Sequence, residues 1–288
     1  MLPSRFEYHR PESLEEALQL LSQYGDEAKV LAGGQSLIPV MKLRLATPAH
    51  LVDIGRLGID QIAEADGRLT VGALARHHDL ERSEAVKARY PVMAAAAPMI
   101  SDPIVRNLGT IGGSLCHADP AGDWGSVMLA LEASVVLRNA RGEREVAMPE
   151  FLVDTFTTAL ESDEILTEVR IPLAAGPSGG TYLKLERKVG DFATVAAAVH
   201  LSLSNGTIER AGIALTAVGP KNLRPTAAEA SLAGAEPTEA AFAEAGRLAA
   251  EASSPVSDVR GSADYKRHVV DVYVRRGLAR ALEMARAA

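Results

Sequence analysis

Apolar residues alternate most regularly late in the chain. Val195, Ala197, Val199, Leu201 and Leu203 take every second position up to Asn205-Gly206, and Ile208, Ile213 and Leu215 lie on the return, which predicts two antiparallel strands joined by a tight hairpin. The period then becomes helical over 239–252 and over 264–287, where Val269, Val272 and Tyr273 share a face. At the other end, 6–9 reads as a strand, Ser13 with Glu16 forms a capping box for a helix reaching Gln23, and 28–31 reads as a short buried strand. Helical spacing returns over 37–43, with Pro39 tolerable in its first turn. Strands follow at 51–54 and 68–71, then a helix over 74–80 after the Gly72-Ala73 corner, and a hairpin of 135–137 with 145–147 around Arg141-Gly142. A strand over 164–171 closes this part. Between Pro172 and Gly180, three glycines and two prolines mark a linker, so the pattern predicts an α+β first domain over 1–175 and a second over 176–288.

Composition narrows the class. With 288 residues, 47% hydrophobic but only 4% aromatic, the chain can bury a sizeable core in two domains, and that core must be aliphatic. The formal charge of -7, without a basic block, argues against a nucleic-acid partner or an anionic membrane surface. The first ten residues lack an apolar signal core and the alanine run 93–97 is broken by Pro98, so a cytoplasmic protein with no integral membrane segment is expected. Cys116 is the single cysteine: it excludes an internal disulfide and an iron-sulfur cluster held by this chain alone, and it reads as a small hydrophobe rather than a nucleophile.

The candidate chemistry sits in two glycine pairs, Ala32-Gly33-Gly34-Gln35-Ser36 with Leu37 behind it, and Thr110-Ile111-Gly112-Gly113-Ser114. A Gly-Gly step is often only a tight turn, but it also admits positive φ and close approach of backbone to a ligand, while neighbouring amides and hydroxyls donate to phosphate oxygens. The first pair stands between a strand and a helix start; the second leads to Asp119 as an expected helix N-cap with Pro120 at the first helical position. Neither G-x-G-x-x-G nor G-x-x-x-x-G-K-[ST] occurs. His117, Asp119 and Asp123 have the spacing of a loop running into a cap rather than of a metal triad. His77 and His78, adjacent, point to different sides and are expected at the surface, so no metal site is expected.

Ordered motifs run the length of the chain: Phe6 to Pro11 with Ser13 to Ala17, the first glycine loop with Leu37-Ile38-Pro39, Leu51 to Ile54, Arg106-Asn107, Thr110 to Ser114, Ala118-Asp119-Pro120 with Asp123, Glu164-Ile165-Leu166, and Lys184 with Arg187 to Ala193. On these residues the chain resembles the FAD-binding medium subunits of molybdenum hydroxylases, the group that includes aerobic carbon monoxide dehydrogenase and the flavin domain of xanthine dehydrogenase. The resemblance implies a two-part FAD-binding domain of the vanillyl-alcohol-oxidase/PCMH type, followed by a smaller C-terminal domain of carbon monoxide dehydrogenase type with an antiparallel sheet and helices. It implies a pyrophosphate cradle from Gly33, Gly34, Gln35 and Ser36 on one side and Thr110, Gly112, Gly113 and Ser114 on the other, flanked by Ala32 and Leu37. By the same resemblance Asp123 meets the nucleotide part of FAD, with Asp119 beside it, Ile165 or Leu166 packs on adenine or flavin, and Lys184 approaches the flavin. Phe192 stands where the carbon monoxide dehydrogenases have Tyr. Gln35 stands where the family often has His, so the FAD is expected to be noncovalent.

An FAD-carrying oxidoreductase subunit follows from the resemblance. It would take electrons from 2Fe-2S clusters on a small partner subunit, with the molybdenum cofactor on a large one, in a dimer of heterotrimers, and pass them to a quinone, oxygen or NAD. A free-standing FAD-dependent oxidase or dehydrogenase of the same fold is the alternative, and a noncatalytic nucleotide-binding protein a third reading. Gln35, Phe192 and the 114–117 stretch depart from the carbon monoxide dehydrogenase pattern and leave aldehydes, N-heterocycles and carbon monoxide open as substrates of the complex.

Overall fold

Three larger sheets and a two-stranded ribbon make up the strands of a computed structural model that describes residues 2–174 and 176–288. The first is parallel. Strands β1 (Glu7–His9) and β2 (Ala28–Leu31) flank β3 (His50–Asp53), with helices α1 (Leu14–Tyr24) and α2 (Leu37–Lys42) as crossovers. Ser13 caps α1 by accepting the Glu16 amide at 3.1 Å, and Ala17, Leu18 and Leu21 on its inner face join Val52 and Ile54 in a small aliphatic core.

The second sheet is antiparallel, in the order β4 (Ile62–Ala65), β5 (Arg68–Gly72), β10 (Ile165–Pro172), β6 (Ser134–Asn139), β7 (Gly142–Ala147). Between β5 and β6 run α3 (His77–Arg82), α4 (Glu84–Arg89), α5 (Pro91–Ala96), α6 (Pro103–Arg106), α7 (Ile111–His117) and α8 (Asp123–Ala130). After β7 come α9 (Met148–Phe151) and a two-stranded ribbon of β8 (Leu152–Asp154) and β9 (Thr157–Thr158). The third sheet, β11 (Ser178–Leu185), β12 (Val195–Ser204) and β13 (Thr207–Thr216), is followed by α10 (Thr226–Leu232), α11 (Glu239–Ala252) and α12 (Ala263–Ala287). Asn205 and Gly206, at φ 51° and 83°, make the tight turn that their sequence predicts.

Several expectations need correction. The stretch 172–180 is not all linker, because β11 starts at Ser178 and Gly179 and Gly180 lie inside it; the expected boundary at 175 itself falls outside the described residues. Those glycines serve packing: a Cβ on Gly179 would lie 2.7 Å from Met284 Cβ of α12, and one on Gly180 would collide with Val92 of α5. Strand β12 alternates as for a half-buried strand, yet both faces are buried. Val195, Ala197, Val199 and Leu201 enter the core beneath α12, while Ala196 and Ala198 join the core of the preceding domain, where small side chains let α5 and α8 approach.

The helix expected over 74–80 starts later, at His77, because the Ala73 and Leu74 amides are drawn to Thr167 O and Ile59 O, and Arg76 is extended and bridges to Thr110. Asp119 is not a helix N-cap. Its carboxylate closes a local turn on the Ala121 amide at 2.9 Å, and α8 begins at Asp123 with Gly122 before it. His77 is buried rather than at the surface; its Nδ1 accepts the Trp124 indole N–H at 3.0 Å, and burial pushes its pKa down to about 4.

Candidate cofactor site

The two glycine loops, eighty residues apart in sequence, meet. A Cβ on Gly33 would lie 2.8 Å from Gly109 Cα and closer still to the Leu108 carbonyl oxygen, and one on Gly113 would come within 3.9 Å of Ala32 Cβ. Hydrogen alone fits at Gly33. Gly34 supplies the left-handed conformation, φ +73°, that turns the chain from β2 into α2, whereas Gly33, Gly112 and Gly113 have ordinary φ and are required by close approach. Among the described residues, none of the backbone amides of 33–37 donates to a carbonyl or a side chain; the α2 ladder begins only with the Ile38 amide on Gly34 O. Consecutive amides without partners form an anion-binding concavity.

The second loop differs from its expected role. It is the first turn of α7, and its amides are committed: Ile111 to Ala75 O, Gly112 to Ala73 O, Gly113 to the Thr110 hydroxyl and Ser114 to Thr110 O, all at 2.9–3.1 Å. What this side can offer is hydroxyl. Thr110 Oγ1 accepts from Gly113 and keeps its own proton to donate, and Ser114 stands one position along. The cradle is therefore asymmetric, amides from one loop and hydroxyls from the other.

Helix α7 ends at Ala118 in the left-handed region, φ 49°, and leads into the turn 119–122. Phe156 (φ 52°) donates its amide to Ala118 O at 3.1 Å, and Ala217 (φ 65°) donates to Pro120 O at 2.9 Å. Three non-glycine residues with positive φ thus surround one turn, a concentration of backbone strain of the kind that marks functional sites. Asn222 Nδ2 holds the same turn through Gly122 O at 3.1 Å. Asp119, Phe156, Phe192 and Ala217 line a cleft of about 390 Å³ between the two domains, with Arg260 at its edge donating to Phe192 O at 2.7 Å. Phe192, on the lining of this cleft, is 55% exposed. His117 packs on Phe156 with ring centroids 5.0 Å apart.

Asp123 and Lys184 face inward. Asp123 Oδ1 accepts the Tyr182 hydroxyl at 2.6 Å and Oδ2 accepts from Lys184 Nζ at 3.0 Å; Nζ also donates to Met99 O at 3.0 Å and lies 3.6 Å from Glu186. The Lys184 side chain is 1% exposed, and its ammonium is enclosed between α8, β11 and the Met99 carbonyl. Burial raises the Asp123 carboxyl, opposed by the lysine and the tyrosine, and holds the Tyr182 hydroxyl far above its ordinary range. Ile165 and Leu166 are also interior, on opposite faces of β10, one in the first small core and the other in the main one. The Cys116 thiol is pushed up to about 12 by burial and is a poor nucleophile at neutral pH.

The structure thus gathers Ala32 to Leu37 with Thr110, Gly112, Gly113 and Ser114, brings Asp119 and Phe192 to one cleft, and keeps Asp123, Lys184, Ile165 and Leu166 in the interior. Sequence reasoning missed Leu108 and Gly109, the floor under Gly33, and named Arg106 only as part of a motif, without its role: its guanidinium bonds Glu81 at 3.0 Å and the Ile100 and Ser101 carbonyls at 3.2 and 3.0 Å and so anchors that floor. Phe156 and Arg260 carry no local signal at all.

Residues 4–174 match the profile of the family described as FAD binding domain in molybdopterin dehydrogenase, and residues 180–281 match that of the CO dehydrogenase flavoprotein C-terminal domain. The carbon monoxide dehydrogenase medium chain of Hydrogenophaga pseudoflava is 43% identical over 279 residues, covering 96% of this chain and 97% of that one. The 6-hydroxypseudooxynicotine dehydrogenase complex subunit alpha of Paenarthrobacter nicotinovorans is 38% identical over 288 residues, 99% of this chain and 97% of the other. The solved structure of carbon monoxide dehydrogenase from Hydrogenophaga pseudoflava, a form lacking the Mo-pyranopterin moiety of the molybdenum cofactor, superposes with a TM-score of 0.95 at 44% identity over 99% of each chain.

Proposed function

Because the chain belongs to the family of FAD-binding domains of molybdopterin dehydrogenases, we propose that it is the FAD-carrying subunit of a cytoplasmic molybdenum hydroxylase, with an FAD domain over 1–175 and a flavoprotein C-terminal domain over 176–288. The observation that carries this reading is the run of amides at 33–37 without partners, set against the Thr110 and Ser114 hydroxyls by a contact that only glycine permits at position 33. These donors fit a pyrophosphate: they complement two negative charges without a cluster of Lys or Arg.

In this reading Gly33 to Leu37 hold the phosphates with their amides, the Gln35 carboxamide adds a side-chain donor, and Thr110 and Ser114 close the other side. Asp119 and Phe192 line the cleft toward the flavin end, while Asp123, Lys184 and Tyr182 act at one remove, fixing α8 and the turn before it against the second domain. Ile165 and Leu166 support the cradle from the core. When bound, FAD would supply the redox chemistry, with 2Fe-2S clusters as the electron source and an external quinone, oxygen or NAD as the acceptor. Those clusters require more cysteine than Cys116 provides, which supports placing them on a small partner subunit, with the molybdenum cofactor on a large one, in a dimer of heterotrimers.

Titration of the flavin-free chain with FAD tests the reading. One equivalent is expected to bind, and acid precipitation should release all the colour into the supernatant, because Gln35 offers no imidazole for a covalent link. Failure to bind FAD, or yellow colour retained in the denatured pellet, would contradict it.

A further inference from the structure

Away from the glycine loops, the first sheet carries a second constellation. Glu7 and His9 alternate with Tyr8 on β1 and so share a face, and the parallel register pairs Glu7 with His50 on β3, which puts His50 on that face as well. His9 Nε2 and His50 Nδ1 are 3.0 Å apart, and His50 Nδ1 is 3.6 Å from Glu7 Oε2. The ligand atoms of all three residues lie within 4.8 Å of one another. Two donors bound tetrahedrally at 2.0–2.1 Å stand about 3.3 Å apart, so the observed separations bracket the bite of a first-row metal ion.

The rings are also held in place. Tyr24, at the end of α1, stacks on His50 with centroids 3.7 Å apart and planes 12° from parallel, and lies 5.2 Å from His9. The His50 side chain is 13% exposed, whereas Glu7 is 73% exposed, so the set is anchored on the protein side and open on the solvent side. Two imidazoles and one carboxylate with an open fourth position is a donor set that zinc and its neighbours accept and that hard cations such as Mg²⁺ do not favour.

We propose that Glu7, His9 and His50 bind a divalent first-row transition-metal ion, with Zn²⁺ the natural occupant class and solvent as the fourth ligand. Binding breaks the His9 Nε2–His50 Nδ1 hydrogen bond, the donating ring moving its proton to its other nitrogen so that both imidazoles ligate in the neutral form, and ties the short edge strand β1 to β3. The site is independent of the flavin cradle, with which it shares no residue.

The test is calorimetric titration of the full, untagged chain with ZnCl₂, repeated with His9→Gln and Glu7→Gln, both at the outer edge of the set. One equivalent of Zn²⁺ is expected, weakened at least about tenfold in His9→Gln, and Co²⁺ should give visible d–d bands in the wild type that His9→Gln lacks. Unchanged circular dichroism guards against misfolding. Wild-type chain that takes up less than one equivalent, or His9→Gln and Glu7→Gln chains that bind as the wild type does, would overturn the proposal.

Discussion

Gly33→Ala is the sharpest perturbation of the cradle. The added carbon would sit 2.8 Å from Gly109 Cα and closer to Leu108 O, both backbone atoms that cannot rotate away, whereas carbon atoms in ordinary contact are about 3.5–4.0 Å apart. The loops must therefore part by about 1 Å. In the free protein the 33–37 loop can swing outward at little cost, because its amides have no partners to lose. Binding of FAD would have to restore the contact, so the strain, about 1–3 kcal/mol for an added carbon in a packed site, falls on affinity. At 1.4 kcal/mol per tenfold, the Kd for FAD should rise about 5- to 150-fold with little change in stability. Fluorescence titration of the flavin-free variant measures it. Gly67→Ala is the control: φ is +72° in an open turn between β4 and β5 with nothing within 4 Å, so it should lose about 1 kcal/mol of stability and keep its FAD affinity. Wild-type affinity in Gly33→Ala would show that the two loops are merely turns that happen to touch.

Asp123→Ala leaves the Lys184 ammonium buried with the Met99 carbonyl at 3.0 Å and Glu186, at 3.6 Å, as its remaining counter-charge, and should destabilise the chain by about 3 kcal/mol in urea unfolding; a change under about 1 kcal/mol would mean the cluster does not hold the domains. Stability should fall on acidification. Burial lowers His77 and His200 to about 4 from an ordinary 6.5, so the unfolded chain takes up protons that the folded chain refuses, and the stability present above pH 6.5 is lost progressively toward pH 4, up to about 3 kcal/mol per histidine. His200→Leu, which removes a ring whose Nδ1 has no hydrogen-bond partner, should flatten the profile between pH 6.5 and 5; an unaltered slope would contradict the assignment.

Regular elements with a clean period were legible in the sequence. The β12–β13 hairpin, α1 and α11 lie where alternation, a capping box and helical spacing put them, because each depends on neighbours within its own segment. What escaped depends on contacts between distant segments. Gly179 and Gly180 look like linker glycines until α12 and α5 press on them, and His77 looks like a surface residue until Trp124 donates to it. The cradle was legible as two glycine pairs, but its asymmetry was not. That Gly112 and Gly113 open a helix whose amides are already bonded to Ala73 and to Thr110 is a tertiary fact. For the same reason the inward turn of Lys184 toward Asp123, 61 positions away, had no signal beyond the presence of both residues.

Reduction of the flavin by substrate, with and without partners, tests the central claim most directly. The FAD-loaded chain, mixed anaerobically with carbon monoxide, with aldehydes and with N-heterocycles, should keep its oxidised spectrum while dithionite bleaches it. After addition of a molybdenum subunit and a 2Fe-2S subunit from the native complex, one of those substrates should bleach the flavin within the turnover time. Bleaching of the isolated chain by a substrate at the rate of the whole complex would contradict the account and make this chain an oxidase in its own right.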